Sequence, residues 1–230
     1  MIDNDNFRLN KFLAHKLGLS RREADDMIAA GRITLDGEVA QLGARLRGGQ
    51  SVKLDDKAID LDKPAYTYLA FNKPVGYVCS RRSQGETPTI YKLLPDKYRN
   101  LKTVGRLDRD SSGLLLLTDD GDFTFSMTHP KFHKTKTYEI ELDKSLEPLH
   151  RQMISDHGIQ LEDGLSRLHL DRLKEGDDNG WRVLMHEGRN RQIRRTFAAV
   201  GYQVVKLHRV QFGHYSLAGL QSGEIDTITP

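Results

Sequence analysis

A short acidic stretch in the middle of the chain holds the residues best suited to catalysis. Asp108 lies between two arginines, Arg106 and Arg109, and precedes the run of leucines at residues 114–117. Leucines bounded by turn residues predict a short buried strand. A carboxylate on a loop that such a strand holds rigidly can act as a nucleophile or as a base. The competing interpretation is a solvated turn whose charges have no chemical role.

Two metal-dependent interpretations of the same stretch are weaker. Asp108, Asp110 and Ser112, with Asp119 at the twelfth position, approach the pattern of a calcium-binding loop. That loop needs flanking helices and a final glutamate, whereas the leucines predict a strand. Asp108 and Asp110 also have the spacing of magnesium-dependent phosphatases, but these enzymes have an alternating β/α pattern that this chain lacks. We therefore expect no metal and no cofactor.

Composition and length limit the class of protein. The 230 residues allow one large domain or two smaller ones. The single cysteine, Cys79, excludes an internal disulfide and a multi-cysteine zinc site. No apolar run approaches the roughly 18 residues of a membrane span, and residues 1–10 lack the pattern of a secretory signal. We expect a cytoplasmic protein without a membrane partner.

The distribution of charge says more about partners than the total does. The net charge is only +3. Between residues 181 and 214, however, basic side chains are opposed only by Glu187. Most of them are arginines, which bind phosphate through a planar fork of donors, so this segment predicts a polyanionic partner. The basic residues are Arg182, Arg189, Arg191, Arg194, Arg195, Lys206 and Arg209.

The residues around Asp108 resemble a known active-site motif. Gly-Arg-Leu-Asp at residues 105–108, followed by Ser-Ser-Gly-Leu-Leu at residues 111–115, is similar to the motif of the pseudouridine synthases that modify ribosomal RNA. The two serines replace a commoner Thr-x pair, which leaves the aspartate in place. Asn-Lys-Pro-Val-Gly at residues 72–76 and Glu-Gly-Arg-Asn-Arg-Gln-Ile-Arg-Arg at residues 187–195 resemble two further motifs of the same family.

The resemblance implies a role for each site residue. Asp108 would be the catalytic carboxylate, with Arg194 as its ion-pair partner. Tyr138 would lie against the target uracil, although a tyrosine in a strand is by itself an ordinary packing residue. Leu207 would pack beneath the base, and Arg106 would fill the space that the flipped base leaves in the RNA.

Other basic residues of the same region receive lesser roles. Ile193, Phe197 and Val200 recur at helical spacing and predict a helix over residues 190–200. We expect Arg189, Arg191 and Arg195 to clamp phosphates. Lys73 is interpreted as a surface lysine and receives no chemical role.

The N-terminal segment predicts two helices on a small sheet. Apolar residues recur at helical spacing in residues 8–16, and Ser20 with Glu23 has the pattern of a capping box. The order of residues here resembles the alpha-L RNA-binding domain. That resemblance implies phosphate contacts, which position RNA without determining its sequence. They would be made by Arg8, Lys11, Arg21, Arg22 and Arg32.

These segments predict an α+β protein of two domains, residues 1–62 and 63–230. The second domain would hold a mainly antiparallel mixed sheet, with a helix at residues 146–155 and strands at residues 160–173 and 181–186. The expected partner is ribosomal RNA or a pre-ribosomal particle, with small-subunit RNA slightly favoured and the protein a monomer. The alternative function is a non-catalytic RNA-binding factor for ribosome assembly.

Overall fold

The chain divides into two compact units in a computed structural model that describes residues 7–62, 66–82 and 85–230. The units are Met1–Tyr66 and Thr67–Pro230. The domain boundary proposed from the sequence, between residues 62 and 63, falls just before this division and touches residues outside the described ranges. Each described helix is too short or too polar to cross a membrane.

The N-terminal unit is built on two short helices whose ends the sequence determines. Helix α1, Leu9–Leu17, ends at Gly18, whose φ of 69° is the left-handed conformation that glycine adopts without strain. Helix α2, Arg21–Ala29, begins with the predicted capping box, in which the Ser20 hydroxyl accepts a bond from the Glu23 amide at 3.2 Å and the Glu23 carboxylate accepts one from the Ser20 amide at 2.6 Å. Apolar side chains from both helices form the core, including Leu9, Phe12, Leu13, Ala24 and Ile28.

Short strands complete this unit. A four-stranded sheet has the order β3-β2-β5-β6, and β1 pairs with β4. The elements in chain order are β1 Phe7–Arg8, α1 Leu9–Leu17, α2 Arg21–Ala29, β2 Ile33–Leu35, β3 Glu38–Val39, β4 Arg45–Leu46, β5 Val52–Leu54 and β6 Lys57–Ala58.

The larger unit is organised by a nine-stranded sheet within the described residues. Its main path is β13-β14-β10-β15-β9-β7-β17, with β8 on β9 and β16 on β15. All pairs are antiparallel except β15 with β9, so the predicted α+β class with a mainly antiparallel mixed sheet is confirmed. The elements are β7 Tyr68–Lys73, β8 Lys102–Val104, β9 Ser112–Thr118, α3 Gly121–Thr128, β10 Lys136–Leu142, α4 Pro148–Gln152, β11 Ile159–Leu161, β12 Gly164–Ser166, β13 His169–Arg172, β14 Gly180–Met185, α5 Gln192–Ala198, β15 Val204–Phe212, β16 Tyr215–Ser216 and β17 Ile225–Thr227.

Strand β9 lies inside the sheet and is buried on both faces. Leu115 and Leu117 join the large core that includes α5, whereas Leu114 and Leu116 join a second core beneath α3. Gly113 is the second residue of this strand and lies where β15 pairs with it in parallel. A Cβ atom at that position would lie 2.2 Å from the Arg209 carbonyl oxygen, so only glycine allows the two strands to meet.

Three element predictions differ from the structure in their bounds. The helix expected at residues 146–155 is α4 followed by a π-helical turn, Met153–His157. The single strand expected at residues 160–173 is a hairpin, β11–β12, and then β13, because Gly164 adopts a φ of 117° and reverses the chain. The helix expected at residues 190–200 begins at Gln192, since Arg191 has a left-handed conformation with φ of 46°.

Candidate active site

Asp108 lies on the loop between β8 and β9, and a buried lysine holds that loop from below. The Lys73 side chain is fully buried and donates from its Nζ to three carbonyl oxygens: Pro74 at 3.0 Å, Asp108 at 3.0 Å and Ser111 at 2.7 Å. Burial lowers the pKa of the Lys73 ammonium, and its electrostatic interactions with Cys79, Asp108 and Asp110 offset this shift in part. The interpretation of Lys73 as a surface residue was therefore wrong.

Register explains why this lysine points inward. Lys73 is the last residue of β7 and pairs with Gly113, the residue that follows the loop on β9. Its side chain therefore starts beside the loop and reaches the point where the loop carbonyls converge. Three donors on one cation fix the loop backbone at Asp108 and at Ser111 and tie both points to the end of β7.

The segment after Lys73 supports the loop from a second side. Cys79 donates from Sγ to the Leu107 carbonyl oxygen at 3.3 Å, and the Leu107 amide lies 3.4 Å from the same sulfur. The Gly76 amide donates to the Arg109 carbonyl oxygen at 2.7 Å. Burial raises the pKa of the Cys79 thiol, so this side chain stays protonated and serves as a structural contact.

A cavity of about 600 Å³ opens beside the loop. Four of the side chains predicted for the site lie around it: Asp108, Arg106, Tyr138 and Leu207. Asp108 remains accessible, with 27% of its side chain exposed. Arg194, the fifth, is not part of the cavity lining. The sheet thus gathers residues that are far apart in sequence around one carboxylate.

Neighbouring strands bring the apolar wall of the cavity together. Tyr138 lies on β10 opposite Arg209 of β15, and Leu207 lies two residues before Arg209. Tyr138 and Leu207 are both nearly buried. An aromatic ring and an aliphatic side chain on adjacent strands form a slot suited to a flat heterocycle.

Arg209 is a cavity residue that the sequence did not single out. It is 2% exposed, and its Nε donates to the Leu114 carbonyl oxygen at 2.7 Å. Its guanidinium lies 6.0 Å from the Tyr138 ring centre and 5.0 Å from the Phe212 ring centre. Nη2 is buried without a hydrogen-bond partner, and within the described ranges no carboxylate forms an ion pair with this residue.

A buried donor without a partner is costly, so the unpartnered Nη2 points to a ligand that accepts from it. A signal was present in the sequence. Arg209 follows Leu207 at the two-residue spacing of one strand face, and an arginine on a core-facing position is unusual.

The ion pairs of the loop differ from the expected arrangement. Arg191 donates to both carboxylate oxygens of Asp110, at 3.0 Å and 3.1 Å, and its Nη1 lies 3.6 Å from the nearer Asp108 oxygen. Arg194 pairs with Asp110 at 3.4 Å and donates to the Asp110 carbonyl oxygen at 2.8 Å. The hydrogen bonds from Arg191 are the main cause that lowers the pKa of Asp110.

The predicted pairing of Arg194 with Asp108 is therefore corrected. The late start of α5 leaves Arg191 in the left-handed region ahead of the helix, where its side chain extends toward both carboxylates. Arg194 comes one turn later and reaches the backbone and side chain of Asp110, and it also donates to the Val204 carbonyl oxygen. Arg194 thus anchors the end of the loop, and Arg191 is the cation nearest to Asp108.

Two predicted phosphate clamps are engaged inside the protein. Arg189 pairs with Asp163 at 2.9 Å and donates to the Gly164 and Leu165 carbonyl oxygens, each at 2.9 Å. Arg195 pairs with the same carboxylate at 2.6 Å. Both side chains fasten the β11–β12 hairpin to the start of α5, so phosphate contact would have to compete with these bonds.

The basic residues of the N-terminal unit differ in how their side chains are engaged. Arg8 and Arg22 are exposed. Arg21 donates to the Asn10 side chain at 3.4 Å, and Arg32 forms a paired contact with the Asp55 carboxylate. The ammonium of Lys11 lies 5.6 Å from the ring centre of Phe7.

Comparison with known proteins agrees across both units. Residues 67–199 match the family described as RNA pseudouridylate synthase, and residues 7–52 match the S4 domain. Ribosomal large subunit pseudouridine synthase B of Bacillus subtilis is 33% identical over 97% of this chain and 92% of the relative. Ribosomal small subunit pseudouridine synthase A of Yersinia pestis is 37% identical over 96% and 94%. A crystal structure of a pseudouridylate synthase matches with a TM-score of 0.67 and 33% identity, over 97% of this chain and 96% of that one.

Proposed function

Because the chain belongs to the RNA pseudouridylate synthase family, we propose that it isomerises uridine to pseudouridine at defined positions of ribosomal RNA, with Asp108 as the reacting carboxylate. The observation that carries this proposal is the position of Asp108. It is an accessible carboxylate on a firmly held loop, beside a cavity walled by Tyr138 and Leu207.

The reaction matches what these residues can supply. Isomerisation breaks the bond between N1 of uracil and C1′ of ribose, turns the base and forms a bond from C5 to C1′. The C5 proton leaves and N1 takes up a proton, so the atoms balance without an oxidant, a reductant or water. Asp108 acts as the nucleophile or as the base that takes a proton. Arg191, 3.6 Å away, stabilises its negative charge without enclosing it.

The base must leave its stack to reach this carboxylate, at a cost of a few kcal/mol. Tyr138 and Leu207 offer it a new apolar slot, and Arg106 at the cavity is suited to occupy the vacated position in the RNA. The unpartnered Nη2 of Arg209 is suited to donate a hydrogen bond to a uracil carbonyl oxygen. A donor there would stabilise the negative charge that uracil gains as its glycosidic bond breaks.

The N-terminal unit supplies RNA affinity in this proposal. Its exposed arginines, Arg8 and Arg22, are free to contact phosphates directly, and the S4 match over residues 7–52 supports that role. Arg21 and Arg32 would need to exchange their present contacts. The proposed enzyme works as a monomer in the cytoplasm, where ribosomal RNA is made and assembled.

Tritium release identifies the substrate. Small-subunit and large-subunit ribosomal RNA transcripts labelled at uridine C5 are incubated separately with the protein and a chelator. We place small-subunit RNA first and test both transcripts, because the relatives are named for either subunit. Release from one transcript establishes the isomerisation and its substrate.

If neither transcript releases tritium, the same assay is repeated on pre-ribosomal particles. Release from particles alone retains the function and changes the substrate. RNA binding without release from any of these substrates overturns the proposal and favours a non-catalytic assembly factor.

A further inference from the structure

An exposed aromatic patch lies where helix α3 ends. It consists of Phe125, His129, Lys131 and Phe132, and we call these four residues the aromatic platform. Phe125 is 47% exposed and Phe132 is 40% exposed, and both other residues are exposed as well. Single exposed phenylalanines are common on protein surfaces, but a contiguous group of rings indicates a binding surface.

The platform is arranged as a set of touching rings. The ring centres of Phe125 and His129 are 4.6 Å apart, and those of Phe125 and Phe132 are 5.7 Å apart at 90°. The Lys131 ammonium lies 4.9 Å from the Phe125 ring centre and 4.7 Å from that of Phe132. Cation and rings therefore form one surface with both π and positive character.

Backbone hydrogen bonds hold this surface in place. The His129 amide donates to the Phe125 carbonyl oxygen at 3.0 Å, and the Phe132 amide donates to the His129 carbonyl oxygen at 3.1 Å. The turn Pro130–Phe132 is a 3₁₀ helix that continues directly from α3. A surface that is already ordered loses little conformational entropy when a ligand binds.

The platform is continuous with the active-site cavity. Met127, Thr128, His129 and Pro130 line the same cavity as Asp108. An RNA that delivers a base to Asp108 would therefore carry its neighbouring nucleotides across or beside these rings.

The charge of the surroundings fits RNA. Lys134 and Lys136 follow the platform and also line the cavity. The carboxylates of this segment lie at the opposite end of α3, where Asp120 accepts bonds from the Tyr68 hydroxyl and the Asp122 amide, each at 2.9 Å. A polyanion is thus favoured at the end of the helix that carries the rings.

We propose that the aromatic platform stacks an unpaired base next to the target uridine, while Lys131 pairs with the phosphate of that nucleotide. The inference rests on the proposed function and names a second contact of its substrate. Extrusion of the target base deprives its neighbour of a stacking partner, and Phe125 or Phe132 replaces it. Because every base has a π face, the platform contributes affinity and tolerates different sequences.

The test compares Phe125→Ala/Phe132→Ala with the wild type on the labelled transcript that releases tritium. We expect the RNA dissociation constant and KM to rise about tenfold, the order expected for one lost stacking contact. The maximal rate stays within about twofold because the rings do not reach Asp108 in this account. Leu149→Ala/Val205→Ala is the matched control, since both side chains are exposed, at 63% and 57%, and lie outside the cavity lining.

A second double variant distinguishes loss of the aromatic rings from misfolding. Phe125→Leu/Phe132→Leu keeps apolar volume and removes the rings, so the same loss of affinity is expected with unchanged thermal unfolding. Ultraviolet cross-linking to the unlabelled transcript, followed by peptide mapping, gives an independent result. A nucleotide attached to the peptide that contains Phe125 and Phe132 supports stacking.

Three results overturn the inference. The first is unchanged RNA affinity in both ring variants. The second is cross-linking at the Tyr138 peptide with none at the platform. The third is weaker binding of the ring variants to pre-ribosomal particles with unchanged binding to free RNA, which would assign the surface to a protein partner. Absence of tritium release by the wild type would reject the proposed function instead, and the affinity and cross-linking results would still decide the platform.

Discussion

Asp108 and Asp110 flank Arg109 on one loop, yet their surroundings differ. Asp110 receives two hydrogen bonds from Arg191, at 3.0 Å and 3.1 Å, and an ion pair from Arg194. Asp108 has one cation at 3.6 Å, that of Arg191, and its carboxylate borders the cavity. Asp110 is held by two arginines, whereas Asp108 makes one longer ion pair and lines the cavity.

This difference indicates a division of labour. Asp110 binds both arginines and so stops them from closing over Asp108. Lys73 holds the backbone of the same loop through the carbonyl oxygens of Asp108 and Ser111. The loop is thereby rigid in its main chain and open at the one side chain that we assign to the reaction.

The largest expected effect separates the two aspartates by substitution. Asp108→Asn should lower the single-turnover rate of tritium release at least about 10³-fold, because an amide is neither a nucleophile nor a base. Asp110→Asn should lower this rate less than about tenfold, because the substitution only weakens the hold on Arg191 and Arg194. RNA affinity, measured by filter binding, should stay the same in Asp108→Asn. Equal losses in the two variants would contradict the division.

The next effect concerns Arg209. Arg209→Met keeps much of the side-chain volume and removes the donor at Nη2, so kcat should fall about 100-fold with little change in KM. Arg209→Lys keeps a positive charge and should recover part of that loss. If both variants lose stability and retain the wild-type kcat, Arg209 only supports the Leu114 carbonyl.

Lys73 should affect stability before it affects chemistry. Lys73→Met leaves three carbonyl oxygens without their donor, so the free energy of unfolding should fall by about 3 kcal/mol. Urea denaturation measures this change. Lys102→Met, at an exposed position of β8, is the control and should alter stability by less than about 0.5 kcal/mol. If Lys73→Met lowers the free energy of unfolding no more than Lys102→Met does, Lys73 does not hold the loop.

The smallest effect is the acid dependence of the Asp110 ion pairs. Arg191 lowers the pKa of Asp110 in the folded protein, so these pairs contribute fully above the ordinary carboxyl pKa of 3.8. Their contribution is lost as the pH falls through the lower folded-state value. Asp110→Asn should therefore be less stable than the wild type at about pH 6, with the gap narrowing toward about pH 2. Glu175→Gln, at an exposed position, is the control. If the difference in stability between the wild type and Asp110→Asn does not change with pH, the ion pairs of Asp110 do not cause the acid dependence.

Local patterns predicted much of this molecule. The buried strand after Asp108, the capping box at Ser20 and the helix around Ile193 and Phe197 all depend on nearby residues. The family resemblance directed attention to Asp108, Tyr138 and Leu207, which the sheet brings to one cavity. The roles of these residues stay predictions until the variants are measured.

Contacts between distant segments were beyond the same reasoning. The partners of Lys73 come from residues 74, 108 and 111, and they converge only when β7 and β9 pair. Which of Arg191 and Arg194 lies nearer to Asp108 depends on where α5 starts. Hydrophobic periodicity defines helix ends poorly. Arg209 was named only as one of the basic residues that predict a polyanionic partner, because its burial arises from β9, β10 and β15 together.

The most direct test is nucleoside analysis of the ribosomal RNA substrate after incubation with the protein and a chelator. The transcript is digested completely, and uridine and pseudouridine, which have equal mass, are separated by chromatography and identified by their fragmentation. We predict that the wild type converts uridine to pseudouridine, that Asp110→Asn does so more slowly, and that Asp108→Asn produces none. Pseudouridine formation by Asp108→Asn at the wild-type rate would contradict the assignment of Asp108 as the reacting carboxylate.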